Sequence, residues 1–182
     1  PKLLLPEGVP VLLLASSMCI EAGDADHARP WLQKFDELML RRGGVLFQAE
    51  RQLLWASFQR LTGNHETALA TAQAALARAS EPRQPYALLQ AHRVLAQLTT
   101  DGGGFDSAAR HFAESVAHAD ACGFPFERAL TLVELAELQM ARDDRAGATR
   151  TLDEVRAICE PLQARRVLDR IADLEQRIGG QA

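Results

Sequence analysis

The chain has 182 residues, of which 47% are apolar and 24% charged, so it can bury a core and is not expected to be disordered. Its formal net charge of −4 argues against a nucleic-acid surface, because phosphate binding needs clustered lysine and arginine side chains. No apolar run reaches the roughly 18 to 20 residues that span a bilayer, and the three cysteines are widely spaced, as free thiols of a reducing compartment would be. The composition therefore predicts a cytoplasmic protein that binds neither nucleic acid nor membrane directly.

Nine helices are predicted from apolar periodicity and from the glycines, prolines and polar turns that interrupt it. In chain order they span about 10–22, 25–42, 45–62, 65–80, 84–100, 105–121, 125–142, 145–160 and 163–178. The first contains an apolar stretch at residues 11–14 that has no polar side. The last has one apolar stripe and places Arg170 and Glu175 on the outside, which is typical of a capping helix.

One residue pattern returns every 40 residues along the chain, at four positions of the repeat. A small residue precedes each turn, the turn position is followed directly by a capping position, and an alanine follows four residues later. The turn column is Gly23, Gly63, Gly103 and Asp143, and the capping column is Asp24, Asn64, Gly104 and Asp144. The alanine column is Ala28, Ala68, Ala108 and Ala148, and the small residues before the turns are Ser16, Ala56, Ala96 and Ala136. Glycine at a turn supplies a positive φ, Asp or Asn caps the following helix, and opposed small residues let two helices approach closely. A fixed period of this length indicates a solenoid of helical hairpins.

These columns resemble the tetratricopeptide repeat. The resemblance rests on the Leu-Ala pairs at 95–96 and 135–136, the Gly-Asp and Gly-Asn turns, and the alanine column with Leu or Phe four residues later. The period is longer than the family's, which is about 34 residues. The family's Trp and Tyr positions hold other residues here, namely Leu12, Gln52, His92 and Leu132, and Cys19, Gln59, Thr99 and Gln139.

The resemblance implies an all-α, right-handed superhelix of about four hairpins followed by a capping helix. The hairpins are expected at about 9–43, 44–83, 84–123 and 124–162, and the capping helix at 163–178, in a single domain over 1–182. Because the sequence starts at Pro1 without a methionine, it is expected to be a piece of a larger protein.

Lengthened repeats of this type look like the effector-sensing arrays of MalT-like regulators, a branch of the LuxR-type bacterial transcriptional activators. Residues 129–138 and 157–160 are especially similar to the end of such arrays. In that family an ATPase domain precedes the repeats and a DNA-binding helix-turn-helix follows them, and neither is found in this sequence. The resemblance implies a non-catalytic module that binds a protein, a peptide or a small-molecule effector and needs no cofactor.

The same resemblance selects a candidate binding face. In tetratricopeptide superhelices, ligands usually lie on the concave face, which is lined by the first helix of each hairpin. Carried over by register, this face offers a polar strip of Glu50, Ser57, Arg60, Gln90, Arg93, Gln97 and Glu137, with Tyr86 and Phe126 as apolar platforms at its edge. Arginine there would present fixed, paired donors to a carboxylate, phosphate or peptide carbonyl. The alternative is that these are ordinary solvated residues of an open face.

Two other functions compete with this one. A scaffold or self-association module would use the apolar first helix as a homodimer interface, whereas in an array that helix would pack against a preceding repeat. A metal protein or enzyme would use His111, Glu114, Ser115 and His118, which share one side of a helix. That spacing alone defines no coordination geometry, so a solvated histidine face is expected, with no metal and no catalytic site. Trp31 and Trp55 are expected in the core or in the seams between repeats.

Overall fold

The protein is described by a computed structural model that covers residues 5–41 and 47–180, with side chains from residue 8 onward in the first helix. All regular structure in these ranges is helical: α1 Leu5–Glu21, α2 Ala25–Leu40, α3 Gln48–Leu61, α4 His65–Ser80, α5 Pro85–Asp101, α6 Phe105–Cys122, α7 Pro125–Ala141, α8 Arg145–Cys159 and α9 Arg165–Gly179. The predicted hairpin boundary at Gly43 and Gly44, and the predicted start of the third helix at Val45, lie outside the described residues.

The 40-residue period of the sequence is confirmed by where the helices begin. The second helices of the four hairpins begin 40 residues apart, at Ala25, His65, Phe105 and Arg145. Of the first helices, α1, α5, α7 and α9 begin in one register as well, at Leu5, Pro85, Pro125 and Arg165. The chain therefore has the all-α helical-repeat fold that the sequence predicts.

The first helix begins earlier than predicted. It starts at Leu5 rather than near residue 10, and Pro10 lies inside it. Pro10 is the sixth residue of α1, beyond the first four backbone N–H groups that lack a partner in any helix, so it removes one backbone hydrogen bond, to the carbonyl four residues earlier.

All four turns inside the hairpins close in the same way, which explains the turn column. Gly23, Gly63 and Gly103 have φ of 73°, 78° and 75°, and Asp143 matches them at 60°. The N–H of the next residue then donates to the carbonyl five residues back, as in Asn64 to Gln59 at 2.8 Å. This bond satisfies a carbonyl that the helix end would otherwise leave without a partner.

The predicted side-chain caps are formed at two of the three turns that have an Asp or Asn. Asp24 accepts from the backbone N–H of His27 at 3.1 Å, and Asp144 accepts from that of Gly147 at 2.9 Å. The cap predicted at Asn64 is wrong, because its amide nitrogen instead donates to the Thr62 hydroxyl at 2.9 Å.

Asp143 provides a test of the turn. Replacing it with glycine should raise the free energy of unfolding by about 0.5 kcal/mol, because glycine adopts a positive φ without the steric cost that other residues incur. The ion pair from Asp143 to Arg145, at 3.3 Å, is exposed and its loss should cost little.

Conversely, Gly63→Ala should lower stability by about 1 kcal/mol through backbone strain alone, since its added Cβ would meet nothing within 4 Å. Urea unfolding of both variants measures the two effects; equal and negligible shifts would contradict the strain argument.

The chain divides into two compact units, Pro1–Val94 and Leu95–Ala182. In the first unit α1 packs against α2, and α3 against α4. Ala28 and Leu32 of α2 pack against Phe58 of α3, while Phe35 contacts Val9 and Leu12 of α1.

The two tryptophans of the first unit differ in their surroundings. Trp55 lies in a seam as expected: its indole N–H donates to Asp36 at 3.0 Å and its ring meets Phe58 edge-on. The expectation for Trp31 is wrong, because that residue is 41% exposed.

In the second unit α7 packs against α6, α8 and α9. The small columns meet as predicted, with Ala96 and Ala108 in one fully buried cluster and Ala136 and Ala148 in another. The second cluster extends through α8 into α9, where it includes Ile171 and Leu174. Among the residues described, no helix is both long and apolar enough to cross a membrane.

Candidate functional site

Three residues of the predicted strip lie on α3, in the first unit. Glu50, Ser57 and Arg60 lie seven and three residues apart, so they share a side of the helix, and all three are half-buried. One carboxylate oxygen of Glu50, Oε2, is fully buried and has no hydrogen-bond partner among the described residues. A carboxylate in that position favours a cationic or hydrogen-bond-donating neighbour.

The strip predicted on α5 forms a second row. Tyr86, Gln90, Arg93 and Gln97 follow one another at spacings of four, three and four residues on a single helix. Tyr86 is 40% exposed, as an edge platform would be, and the other three are half-buried. These three polar side chains therefore follow one side of α5 and are partly exposed.

On α7 the predicted residues are separated. Phe126 is 42% exposed in the first turn, and Glu137 lies three turns farther along the helix, about 16 Å away along its axis. Glu137 is engaged by Arg170 of α9: the Arg170 Nε and Nη2 atoms lie 3.2 and 2.9 Å from Glu137 Oε1. Arg170 Nη2 also lies 2.9 Å from an oxygen of Glu134, a neighbour that the predicted strip did not include.

This ion-pair cluster, Arg170 with Glu134 and Glu137, corrects the prediction for the last helix. Arg170 was expected outside, but it pairs with two carboxylates of α7. Burial acts to lower the pKa of Arg170, while Glu134 and Glu137 outweigh that effect and raise the pKa above its usual value. Glu175 was also expected outside, yet it accepts from Arg156 of α8 at 2.6 Å. Both side chains therefore fasten α9 to the last hairpin.

The position of Arg170 in the 40-residue register marks it as a residue of the same column as the predicted strip. It stands one repeat after Leu130, in the column that also holds Glu50 and Gln90 of the predicted strip. Treating α9 as a cap rather than as one more first helix concealed this equivalence. The carboxylate of Glu137 is thus already paired with Arg170 of the same chain, which takes the place that a basic group of a ligand would take.

The histidine side of α6 is not wholly solvated. Ser115 is buried, and its hydroxyl lies 3.0 Å from that of Thr131 on α7, which corrects the expectation that Ser115 faces solvent with the histidines. His111 is half-buried. Burial lowers its pKa, Arg110 lowers it further, and Glu114 acts in the opposite direction. His111 is therefore mainly neutral at pH 7.

A hollow of about 480 Å³ lies elsewhere in the second unit, between α6, α7 and the turn after α7. It is lined by Ala109, Leu135, Leu138, Gln139, Arg142 and Asp144. The polar groups there already have partners. Gln139 accepts from Thr151 at 2.8 Å, Arg142 pairs with Asp106 at 3.2 Å, and Asp144 caps α8. The hollow consequently offers a ligand few uncommitted polar groups, and it contains none of the predicted site residues.

Comparison with known proteins supports the fold. No protein-family model matches the chain, and no curated protein does. A solved structure does match: that of a Signal Transduction ATPase with Numerous Domains (STAND) protein with a tetratricopeptide repeat sensor, from Pyrococcus horikoshii, with a TM-score of 0.64 and 15% sequence identity. The fold is an all-α helical repeat. The match covers 89% of this chain but only 25% of that protein, so this chain spans about a quarter of its length.

Proposed function

We propose that this chain is a non-catalytic sensor or interaction module that binds a protein, peptide or small-molecule effector on the first helices of its hairpins. The observation that carries the proposal is the row on α5. Gln90, Arg93 and Gln97 follow one side of the helix, with the exposed ring of Tyr86 one turn before them. Amides and a guanidinium beside an aromatic ring are suited to carboxylate, phosphate or peptide groups of a ligand.

The row on α3 adds the opposite charge to this surface. Glu50 contributes a half-buried carboxylate, one oxygen of which is buried without a hydrogen-bond partner, and Ser57 and Arg60 continue the row. A ligand that meets both rows would find acidic and basic groups on different helices. Such a pattern selects ligands by the arrangement of their charges rather than by net charge.

We further propose that the module is the sensor region of a bacterial, cytoplasmic transcriptional regulator of the MalT-like, LuxR type. Two observations support this: the residue columns that resemble those arrays, and the likeness to a STAND protein whose repeats are described as a sensor. In such a regulator the effector acts by binding one arrangement of the protein more tightly than another. The module itself then needs neither a catalytic residue nor a cofactor.

A ligand screen by thermal unfolding tests the proposal. Anything that binds only the folded chain raises its melting temperature by mass action, so peptides, sugars, nucleotides and metabolites are tested in turn. At a ligand concentration 100 times the Kd, the gain is about 2.7 kcal/mol. We expect a saturable shift that Arg93→Ala or Gln97→Ala abolishes.

Matched controls separate binding from stability. Arg150→Ala and Gln73→Ala remove the same chemical groups from exposed positions on α8 and α4, and they should leave the ligand shift intact. A shift that all four variants retain would place the ligand on another surface. A silent screen, together with a dimer whose population rises with concentration in light scattering, would favour a self-association scaffold instead.

A further inference from the structure

The first helix carries an apolar stripe that none of the described residues of the first unit buries. Val11, Leu14 and Met18 are 53%, 61% and 48% exposed, and their spacing of three and four residues places them on one side of α1. The other side of α1 is buried through Val9 and Leu12 against Phe35. We call the three exposed residues the α1 stripe.

The 40-residue register shows what happens at the same positions in α3. The equivalents of the α1 stripe there are Arg51, Leu54 and Phe58. Phe58 is 3% exposed and packs against Ala28 and Leu32 of α2, the second helix of the hairpin before it. Arg51 reaches the same helix and lies 2.9 Å from Asp36.

Two of the three equivalents in α7, Thr131 and Leu138, are covered in the same way, whereas the third, Glu134, lies 2.9 Å from Arg170 of α9. Leu138 is 1% exposed and packs in one cluster with Phe112 of α6. Thr131 is fully buried, and its hydroxyl lies 3.0 Å from that of Ser115, also on α6. In both cases the covering element is the second helix of the preceding hairpin.

In α9 the equivalent stripe is entirely apolar, as it is in α1. It consists of Ile171, Leu174 and Ile178, and it packs in one cluster with Val155 and Cys159 of α8. The chemistry of the stripe therefore matches that of the covering helix. A charged residue meets Asp36 of α2, a hydroxyl meets Ser115 of α6, and apolar residues meet the apolar side of α8.

We propose that the α1 stripe is a docking surface for an amphipathic helix of the α8 type, supplied by another tetratricopeptide-type hairpin. That helix presents an alanine, a large apolar residue four positions later, and further apolar residues at the next turns, as Ala148, Leu152, Val155 and Cys159 do in α8. The occupant carries no charge opposite Val11, because the stripe has no group to pair with one.

A second copy of this chain is disfavoured as the occupant. The apolar stripes of its second helices are already buried, for example Ala28 and Leu32 in α2, Phe112 in α6 and Val155 in α8. A folded second copy would have to offer a surface of a different kind, such as its own α1.

A chain extended by one hairpin tests the proposal. A copy of residues 125–164 is joined directly before Leu5, so that the copied α8 precedes α1 at the spacing at which α8 precedes α9. Burial of the α1 stripe should raise the melting temperature of the first unit by about 5 °C relative to the original chain. Leu14→Glu combined with Met18→Glu should abolish that gain, while shifting the original chain by no more than about 1 °C because both positions are exposed there.

The control pair is Ala74→Glu combined with Ala77→Glu, which adds the same charges at exposed positions of α4 and should leave the gain intact. Three outcomes would overturn the proposal. The extension raises no melting temperature; the gain survives Leu14→Glu with Met18→Glu; or the original chain forms a concentration-dependent dimer that the same double substitution dissociates, which would make a second copy the occupant.

Discussion

Replacing Phe112 with alanine should lower the free energy of unfolding of the second unit by about 4 kcal/mol, the range found when a buried aromatic side chain is removed. Phe112 is 1% exposed and occupies the large position that follows the alanine column by four residues. Its ring packs with Ala96, Ala108 and Leu138, so its loss opens a cavity between three helices. Urea unfolding followed by circular dichroism measures the change.

Phe126→Ala removes the same ring from a position that is 42% exposed and provides the control. It should cost less than about 1 kcal/mol, since little apolar surface is lost from the interior. Because Phe126 is a proposed edge platform, this variant should instead weaken a ligand shift found in the thermal screen. Equal losses of stability in the two variants would show that the repeat register assigns the wrong residues to the core.

The parts of the fold that the sequence predicts best are those that depend on backbone conformation and strict spacing. A glycine is needed where φ is positive, so Gly23, Gly63 and Gly103 mark the same bend in each hairpin. Opposed small residues are needed where two helices approach closely, which is why Ala136 and Ala148 are both fully buried. Requirements of this kind restrict the residue type at a position, so they can be read from the sequence.

The errors concern side chains whose surroundings depend on distant elements. The spacing along α6 places Ser115 on the same side as the histidines, but Ser115 is buried and its hydroxyl forms a hydrogen bond with that of Thr131 on α7. Trp31 is a large apolar residue that would be expected inside, yet it is 41% exposed. Periodicity along one helix does not specify which other helix covers each side.

In the candidate site, too, local spacing was predicted from the sequence and contacts with distant helices were not. The register places Gln90, Arg93 and Gln97 on one side of α5, as the helix shows. It did not reveal that Glu137 is paired, because its partner Arg170 is 33 residues farther along the chain. That the residues on α3 and α5 bind a ligand stays a prediction, which the binding screen tests.

Replacing Arg170 with methionine should lower the free energy of unfolding of the second unit by about 2 kcal/mol. Methionine retains much of the packing volume but leaves the Glu134 side chain, which is only 16% exposed, without its cation. Arg166→Met is the matched control on the same helix, and since Arg166 is exposed it should cost less than about 0.5 kcal/mol. If the two variants unfold alike, Arg170 does not fasten α9.

Three further measurements test whether the cause of the loss is electrostatic. In a double-mutant cycle, Arg170→Met should cost about 1 kcal/mol less when Glu134→Gln and Glu137→Gln are already present, because no carboxylate is then left unpaired. Salt at 1 M should reduce the effect only in part, since the pairs are half-buried and less screened than surface pairs. The neighbouring carboxylates raise the pKa of Arg170, so the stabilisation that depends on its charge is fully present below the usual pKa of arginine and is lost only at more alkaline pH. Titration of Arg170 should therefore not change the stability between pH 6 and about pH 9.

The same variant separates the structural role of Glu137 from its proposed role in binding. Arg170 occupies the carboxylate of Glu137 much as a guanidinium or ammonium group of a ligand would. If the last hairpin takes part in recognition, Arg170→Met should strengthen the binding of a basic ligand at Glu137 although it weakens the fold. If Glu137 serves only to fasten α9, the affinity of every ligand found in the screen should stay unchanged, and the binding face would then be confined to the rows on α3 and α5.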